Sequence, residues 1–444
     1  MSVKPPAGPR PFASLLGQIV QAERFSDVLG APWREAAGTY LHWDDLIHRP
    51  PPDGFTREEW WVGLKYGRLA QQRPVPLVGK GGRPFSYLLP DPIPERLQQI
   101  DRDASGGLLF PEEALSREHR NRYIVSSLVE EAITSSQLEG AATTRRVAKE
   151  MIRSGRAPLD KDERMILNNY RAMQWIRTRT REALTPEMVL DLHRLLGEGA
   201  LDAGQPGALR GPDPDDEFGV WSNGRRLFRP PDHTELPERL ARMCAFANGE
   251  GGGPFMHPVL KAIALHFWLA YDHPFEDGNG RTARALFYWY LLREGYGLFE
   301  FVSISRVLKK SYAGYARAYL YTESDDNDLT YFFLYHLGVI HQAIGEVQEY
   351  LRKKSREAQE AHALLQPGTG LNHRQLALLR HATRHPGQSY TILSHQTSHA
   401  VTTETSRTDL TALADRGLMR RERRGRKYVF TAPPDLGDRL RSLE

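Results

Sequence analysis

Apolar positions at helical spacing dominate the middle of the chain. Ile124, Leu128 and Ala132, with Val125, Val129 and Ile133 beside them, recur every fourth position and predict one buried helical face. Val259, Ile263, Phe267 and Ala270 carry a second stripe. It stops at His273, because Pro274 disfavours helical geometry at the residue before it. Thr185-Pro186-Glu187 reads as a helix start: a capping hydroxyl, a proline suited to the first turn, and an acid near the positive end. A further helix is predicted from about Arg281 to Glu294, ending at Gly295, which suits the left-handed position past a helix end.

Turn-forming residues divide this pattern into segments. Residues 1–107 mix aromatic patches (Tyr40-Leu41-His42-Trp43, Trp60-Trp61) with the turn Pro50-Pro51-Pro52-Asp53-Gly54 and carry no clear functional signal. Gly79-Lys80-Gly81-Gly82 faintly resembles a phosphate loop but lacks its full spacing, and reads as an ordinary turn. Residues 108–350 read as a mostly helical domain. Residues 351–370 read as a helical linker closing in Gln366-Pro367-Gly368-Thr369-Gly370, and residues 371–444 as a further domain.

The bulk composition narrows the class. At 444 residues, 40% hydrophobic and 26% charged, the chain can bury cores in two or three domains. A net charge of +4 does not make the whole chain a nucleic-acid binder. Cys244 is the only cysteine, which excludes an intramolecular disulfide and fits a reducing compartment. Met1 to Pro11 has no signal-peptide core, and the apolar stretch Leu260 to Tyr271 is too short to span a bilayer. A soluble, cytoplasmic protein with no membrane partner is expected.

The chemistry concentrates in His273-Pro274-Phe275-Glu276-Asp277-Gly278-Asn279-Gly280-Arg281-Thr282-Ala283-Arg284. Gly278-Asn279-Gly280 allows a tight turn whose backbone N–H groups point inward, just before a helix N-terminus, an arrangement that binds phosphate. Arg281 and Arg284 lie on nearly one helix face and can fork onto phosphate oxygens. Asp277 is a hard oxygen ligand suited to Mg2+, and His273 can accept a proton near neutral pH. A packed histidine and two solvated arginines explain any one of these residues, but not the whole set. Together they are a base, a metal ligand, a phosphate nest and an arginine clamp.

This run resembles the signature of the Fic family, His-x-Phe-x-Asp/Glu-Gly-Asn-x-Arg-x-x-Arg, at every fixed position. Gly207-x-x-Arg210, Pro230-Pro231, His257-Pro258 and His266 also look like family landmarks. The resemblance implies a mainly α fold, a compact helical bundle with a small β-hairpin flap. It implies a nucleotidyltransferase that moves AMP from ATP, with Mg2+, onto a Ser, Thr or Tyr hydroxyl of a target protein. His273 would be the base and Asp277 the Mg2+ ligand. Phe275, Gly278, Asn279, Gly280, Arg281 and Arg284 would form the nucleotide site. Tyr315, and with less support Asn327, would lie at the nucleoside. Leu227, Phe228, Arg229 and Pro230 would belong to the flap, which holds the target as an added strand. Another donor, giving UMP or GMP transfer, stays open. Asp272 departs from the family's usual apolar residue before the histidine, and would favour a protonated imidazole if it approached the ring.

Two further segments extend the resemblance. Ser135, Glu139 and Gly140 match the family's inhibitory pattern, Ser/Thr-x-x-x-Glu-Gly/Asn, in the subclass whose inhibitory helix is N-terminal. That resemblance implies a brake in which Glu139 occupies Arg284, and it leaves removal of AMP open as a reverse reaction. Residues 371–432 read as helix, helix, helix, hairpin, with a short second helix over Ser389 to His395, and resemble a winged helix. Thr402, Thr403, Ser406, Arg407, Arg424 and Arg426 would then face DNA. Dimerisation or target docking by this domain is an equal alternative. In that light the chain also reads as a DNA-binding regulator whose Fic region is a self-modifying nucleotide switch.

Overall fold

The computed structural model describes residues 4–31, 33, 39–104, 117–215, 217–250, 252–363, 370–424 and 427–441. Helices α1 (Phe12–Gln21), α2 (Phe25–Gly30), α3 (Trp43–Leu46) and α4 (Arg57–Leu69) precede a hairpin of β1 (Arg73–Val78) and β2 (Pro84–Tyr87). Helices α5 (Pro92–Ala104), α6 (Arg117–Leu138), α7 (Arg145–Ser154), α8 (Lys161–Arg177) and α9 (Pro186–Gly197) follow. A second hairpin is formed by β3 (Val220–Ser222) and β4 (Arg225–Phe228). Then come α10 (Leu236–Asn248), α11 (Pro258–Asp272), α12 (Asn279–Arg293), α13 (Ile304–Lys310), α14 (Tyr312–Ser324) and α15 (Thr330–Ala363). The chain closes with α16 (His373–Arg384), β5 (Ser389–Thr391), α17 (Ile392–His399), α18 (Thr403–Asp415), β6 (Arg420–Arg424), β7 (Lys427–Thr431) and α19 (Leu436–Arg441). The class is mainly α. Among the described residues none of the helices is long and apolar enough to cross a membrane.

These elements form two compact units. One combines Met1–Gly106, Arg171–Phe299 and Ile304–Ala343; the other combines Gly107–Tyr170, Glu300–Ser303 and Ile344–Glu444. The units do not follow the segments read from turn residues, because the first hundred residues are bonded to distant sequence. Lys65 Nζ lies 2.7 Å from Asp325 Oδ1, with both side chains buried. Arg68 donates to the Leu41 carbonyl at 2.9 Å and to the Tyr331 hydroxyl at 3.1 Å. Buried charges persist only when paired in this way.

The first unit is centred on α11 and α12, which pack side by side. Both are buried on nearly every face, as expected of helices without a continuous polar stripe. Thr185 caps α9 by accepting from the Met188 N–H, as its sequence predicts. Thr56 and Glu59 form a reciprocal capping box on α4, whose Trp61 and Val62 join Leu15 and Ile19 in a small apolar cluster.

In the second unit α6 ends at Leu138 and Gly140 turns the chain at φ 101°. Leu378, Leu379, Leu410, Leu413, Leu418 and Phe430 form the core of the C-terminal part. Its three antiparallel strands run β5-β7-β6. The expected helix over 389–395 is corrected here. Ser389–Thr391 is a strand, with Tyr390 opposite Phe430, and Thr391 then caps α17 through the Ser394 N–H. As a strand residue Tyr390 joins the apolar core, with its hydroxyl 2.7 Å from His381 Nδ1. Helix α17 packs against both α6 and α7.

Candidate active site

Helix α11 ends at His273, whose backbone is left-handed (φ 48°, ψ 55°). That conformation costs a side-chain-bearing residue roughly 1–2 kcal/mol, so it must be held. Arg210 holds it: its Nε donates to the His273 carbonyl at 2.9 Å and its backbone N–H to the Pro274 carbonyl at 2.9 Å. The same guanidinium also donates to the Pro231 carbonyl. His273 Nδ1 lies 3.2 Å from the Ala270 carbonyl oxygen. A carbonyl only accepts, so Nδ1 carries the proton and the basic lone pair is on Nε2.

The loop after His273 is stapled by Asn279. Its Oδ1 accepts from the Phe275 N–H at 3.0 Å, and its Nδ2 donates to the Phe275 carbonyl at 2.7 Å. Gly278 sits at φ 86°, and a Cβ there would meet His193 Nε2 at 3.1 Å. Its carbonyl accepts from the Thr282 N–H and hydroxyl, starting α12. Gly280 lies in the first turn, where helix N–H groups have no intrahelical partner and favour an anion.

His193 supports this loop from α9. Its ring stacks on Phe275 with centroids 3.7 Å apart. Its Nδ1 accepts from the Gly207 N–H at 2.9 Å, so Nε2 carries hydrogen and donates to the Asp277 carbonyl at 2.9 Å. Burial lowers the imidazole to about 4. The Asp277 carboxylate accepts from the Asp202 N–H at 3.0 Å and from the Gly278 N–H. Arg281 is fully buried, 3.5 Å from Asp277 Oδ2 and 3.3 Å from the Leu196 carbonyl, and Arg284 is buried as well. Among the described residues no cluster of three or more acidic, histidine or cysteine side chains is arranged for a metal. A single carboxylate fits Mg2+ held chiefly by phosphates and water.

Asp272 is engaged away from the imidazole. It accepts from Arg239 Nη1 and Trp268 Nε1, each at 2.9 Å, and burial raises it to about 6. The second hairpin, expected as the flap, pairs Val220 with Phe228 and Ser222 with Arg225 around Asn223 and Gly224, both at positive φ. Leu227 and Phe228 lie in β4, with Arg229 and Pro230 just beyond it. Phe228 packs 4.9 Å from the Tyr271 ring, and Phe218 lies 5.7 Å from the His273 ring. The Tyr315 hydroxyl is 2.8 Å from His266 Nε2. Asn327 is bound to the first hairpin, its Nδ2 donating to the Arg83 carbonyl.

Sequence reasoning missed His193 and Arg239, whose carbonyl and carboxylate partners are remote in the chain. The one available signal for His193 was its place on the apolar face shared with Val189 and Leu196. The Asn223-Gly224 turn was legible as a hairpin signal and was passed over.

Residues 183–291 match the family model described as Fic/DOC family. This segment is a Fic domain. It contains both the stapled loop and its His193 support. Over 207 residues the chain is 28% identical to a protein adenylyltransferase Fic of Culex quinquefasciatus, covering 46% of this chain and 39% of that protein. Over 205 residues it is 30% identical to the Drosophila persimilis protein of the same description, covering 45% and 38%. The chain therefore spans about two fifths of the length of these curated relatives. A crystal structure of a Fic family protein from Desulfovibrio desulfuricans aligns with a TM-score of 0.49 and 18% identity, covering 78% of this chain and 98% of that one.

Outside the Fic domain, Ser135 is buried near the end of α6, and Glu139 and Gly140 follow its last residue. On α18, Thr402 caps the helix, Thr403 bonds Gln396 and Arg407 pairs with Glu404, all exposed. Ser406 is fully buried, a correction to its expected DNA-facing place, because it falls on the core side of α18 with Leu410 and Leu413. Arg424 is exposed and pairs with Glu422. Arg426 lies outside the described residues.

Proposed function

We propose that this protein is an autoinhibited protein adenylyltransferase that moves AMP from ATP to a Ser, Thr or Tyr hydroxyl of a target protein in the cytoplasm. The observation that carries this is the His273 tautomer: with Nδ1 donating to the Ala270 carbonyl, Nε2 is the proton acceptor. His273 Nε2 takes the hydroxyl proton. The oxygen bonds to the α-phosphorus while the bridging bond to the β-phosphate breaks, and pyrophosphate leaves. Asn279 and Gly280 offer backbone N–H groups to the phosphates at the start of α12, and Gly278 turns the chain into that position. Arg284 supplies positive charge to them. Arg281 adds charge and steadies Asp277. Asp277 would hold Mg2+, which when bound neutralises phosphate charge.

Glu139 acts as the brake by competing for Arg284, and the same residue can position water for removal of AMP. The pattern Ser135 to Gly140 at the end of a helix supports this. The C-terminal part is proposed as a winged helix, a module for DNA or a second copy of the chain. Favouring DNA, Arg420, Arg421, Arg423 and Arg424 are all exposed along β6. Duplex binding by the full chain that weakens steeply with salt is the expected result; none at low salt removes it.

The central test is label transfer from ATP. Label at the α-phosphate should enter protein and label at the γ-phosphate should not, with mass spectrometry showing an added adenylyl group, AMP less water. His273→Ala should reduce incorporation by about 10²–10⁴-fold. Undiminished incorporation in that variant overturns the assignment.

A further inference from the structure

The turn Gly79 to Gly82 is not the phosphate loop its composition faintly suggests. The Lys80 N–H donates to the Tyr271 hydroxyl at 3.1 Å, so it is committed to α11. The turn is held closely. The Gly79 N–H donates to the Arg83 carbonyl at 2.8 Å, and Arg239 Nη1 donates to the Val78 carbonyl at 2.8 Å. A Cβ on Gly79 would lie 2.6 Å from Asn327 Nδ2. The Lys80 ammonium stands 5.0 Å from the ring centroid of Phe228, at the end of the flap. The turn and the flap thus meet through Tyr271, on the helix that ends in His273.

Between them opens a cleft of about 530 Å³, lined by Lys80, Arg210, Phe218, Arg229, Asp232 and neighbouring residues. Its acids are tied up locally. Asp213 accepts from the Glu217 and Phe218 N–H groups, Asp232 from the Thr234 N–H, and Glu235 pairs with Arg239. Lys80 and Arg229 of its lining are exposed; Arg83, which pairs with Asp326, follows the turn, and Arg225 lies in β4 of the flap hairpin, both also exposed. Beside these cations, the flap exposes Val220 and Trp221 and two strands able to accept an added strand.

We propose that the Gly79–Gly82 turn is the second wall of the target-docking cleft, which selects an acidic extended segment of the target, with Lys80 as a specificity-determining residue. The inference rests on the transferase reading only for the purpose of docking; the binding itself is separable. Short fluorescent peptides with one serine, flanked either by Asp and Glu or by Lys, are titrated against the full chain by anisotropy.

The acidic peptide should bind about tenfold more tightly than the basic one, and less tightly as salt rises. Lys80→Glu should weaken the acidic peptide by about tenfold and narrow or reverse the preference, with Lys80→Gln between. Circular dichroism checks that both variants are folded. Equal affinity for the two peptides, or an acidic peptide indifferent to Lys80→Glu in the folded variant, overturns the proposal. Charge-selective binding without any label transfer, even in the Glu139→Gly protein, sustains it and rejects the transferase reading.

Discussion

His193 Nε2 lies 2.9 Å from the Asp277 backbone oxygen, and this contact fixes the strand of chain between the proposed base and the phosphate nest. The bond needs a neutral ring, because Nδ1 is already accepting from Gly207. Burial lowers the folded-state value to about 4 from the ordinary 6.5. Between those values the folded protein binds fewer protons than the unfolded chain. The stabilisation is therefore full above 6.5 and is lost as pH falls toward 4, by about 1.4 kcal/mol per pH unit. Urea titrations from pH 7 to 4 should include this slope, and His193→Asn should reduce the total by about 1.4 kcal/mol per pH unit, the buried His42, His266 and His336 keeping their own shares. A slope unchanged in the variant contradicts the assignment.

Asn279→Ala removes both bonds to Phe275 and leaves a buried N–H and carbonyl unsatisfied. The expected loss of stability is about 1–3 kcal/mol. Label transfer measured well below the melting temperature should fall by up to about 10²-fold, because the loop shifts relative to His273. Transfer that merely follows the folded fraction would show that the staple has no role in the chemistry.

Glu139→Gly should raise AMP transfer, self-modification included, by about tenfold or more, as for removal of an ion pair worth over a kcal/mol. Adding His273→Ala should abolish the gain. Incorporation from α-labelled ATP at equal protein concentration is the measurement, and an equal rate with and without Glu139 removes the brake.

Asp409 anchors the C-terminal core. Its buried carboxylate accepts from Arg374, from Asn372 at 2.7 Å and from His395 at 3.1 Å, and these bonds help hold it below the usual carboxylate range. Asp409→Ala strands buried donors and should cost about 3–5 kcal/mol. Hydrogen exchange should rise across residues 371–441 first. Unchanged protection there would contradict this account of the core.

Much of the site was legible because it is local. The helix stop at His273, the turn at Gly278 and the start of α12 depend on residues a few positions apart, where spacing and backbone preference decide the outcome. The same holds for the Thr185 cap and for Gly295 at φ 87°. The error over Ser389–Thr391 arose where a local helical pattern competed with pairing to Phe430, distant in sequence. Ser406 was misplaced for a related reason: which face of α18 is buried depends on the core it meets.

By itself the sequence determined the chemistry-bearing loop, its order of functional groups and the mainly helical class, since these follow from short-range stereochemistry and periodicity. Tertiary structure alone decided that His193 holds the Asp277 carbonyl, that Arg210 holds the His273 carbonyl, and that Asp272 answers to Arg239. It also brought the Lys80 turn to the flap and bonded Lys65 and Arg68 to Asp325 and Tyr331. Each of these depends on distances between groups far apart in the chain, and only the packed core sets those distances.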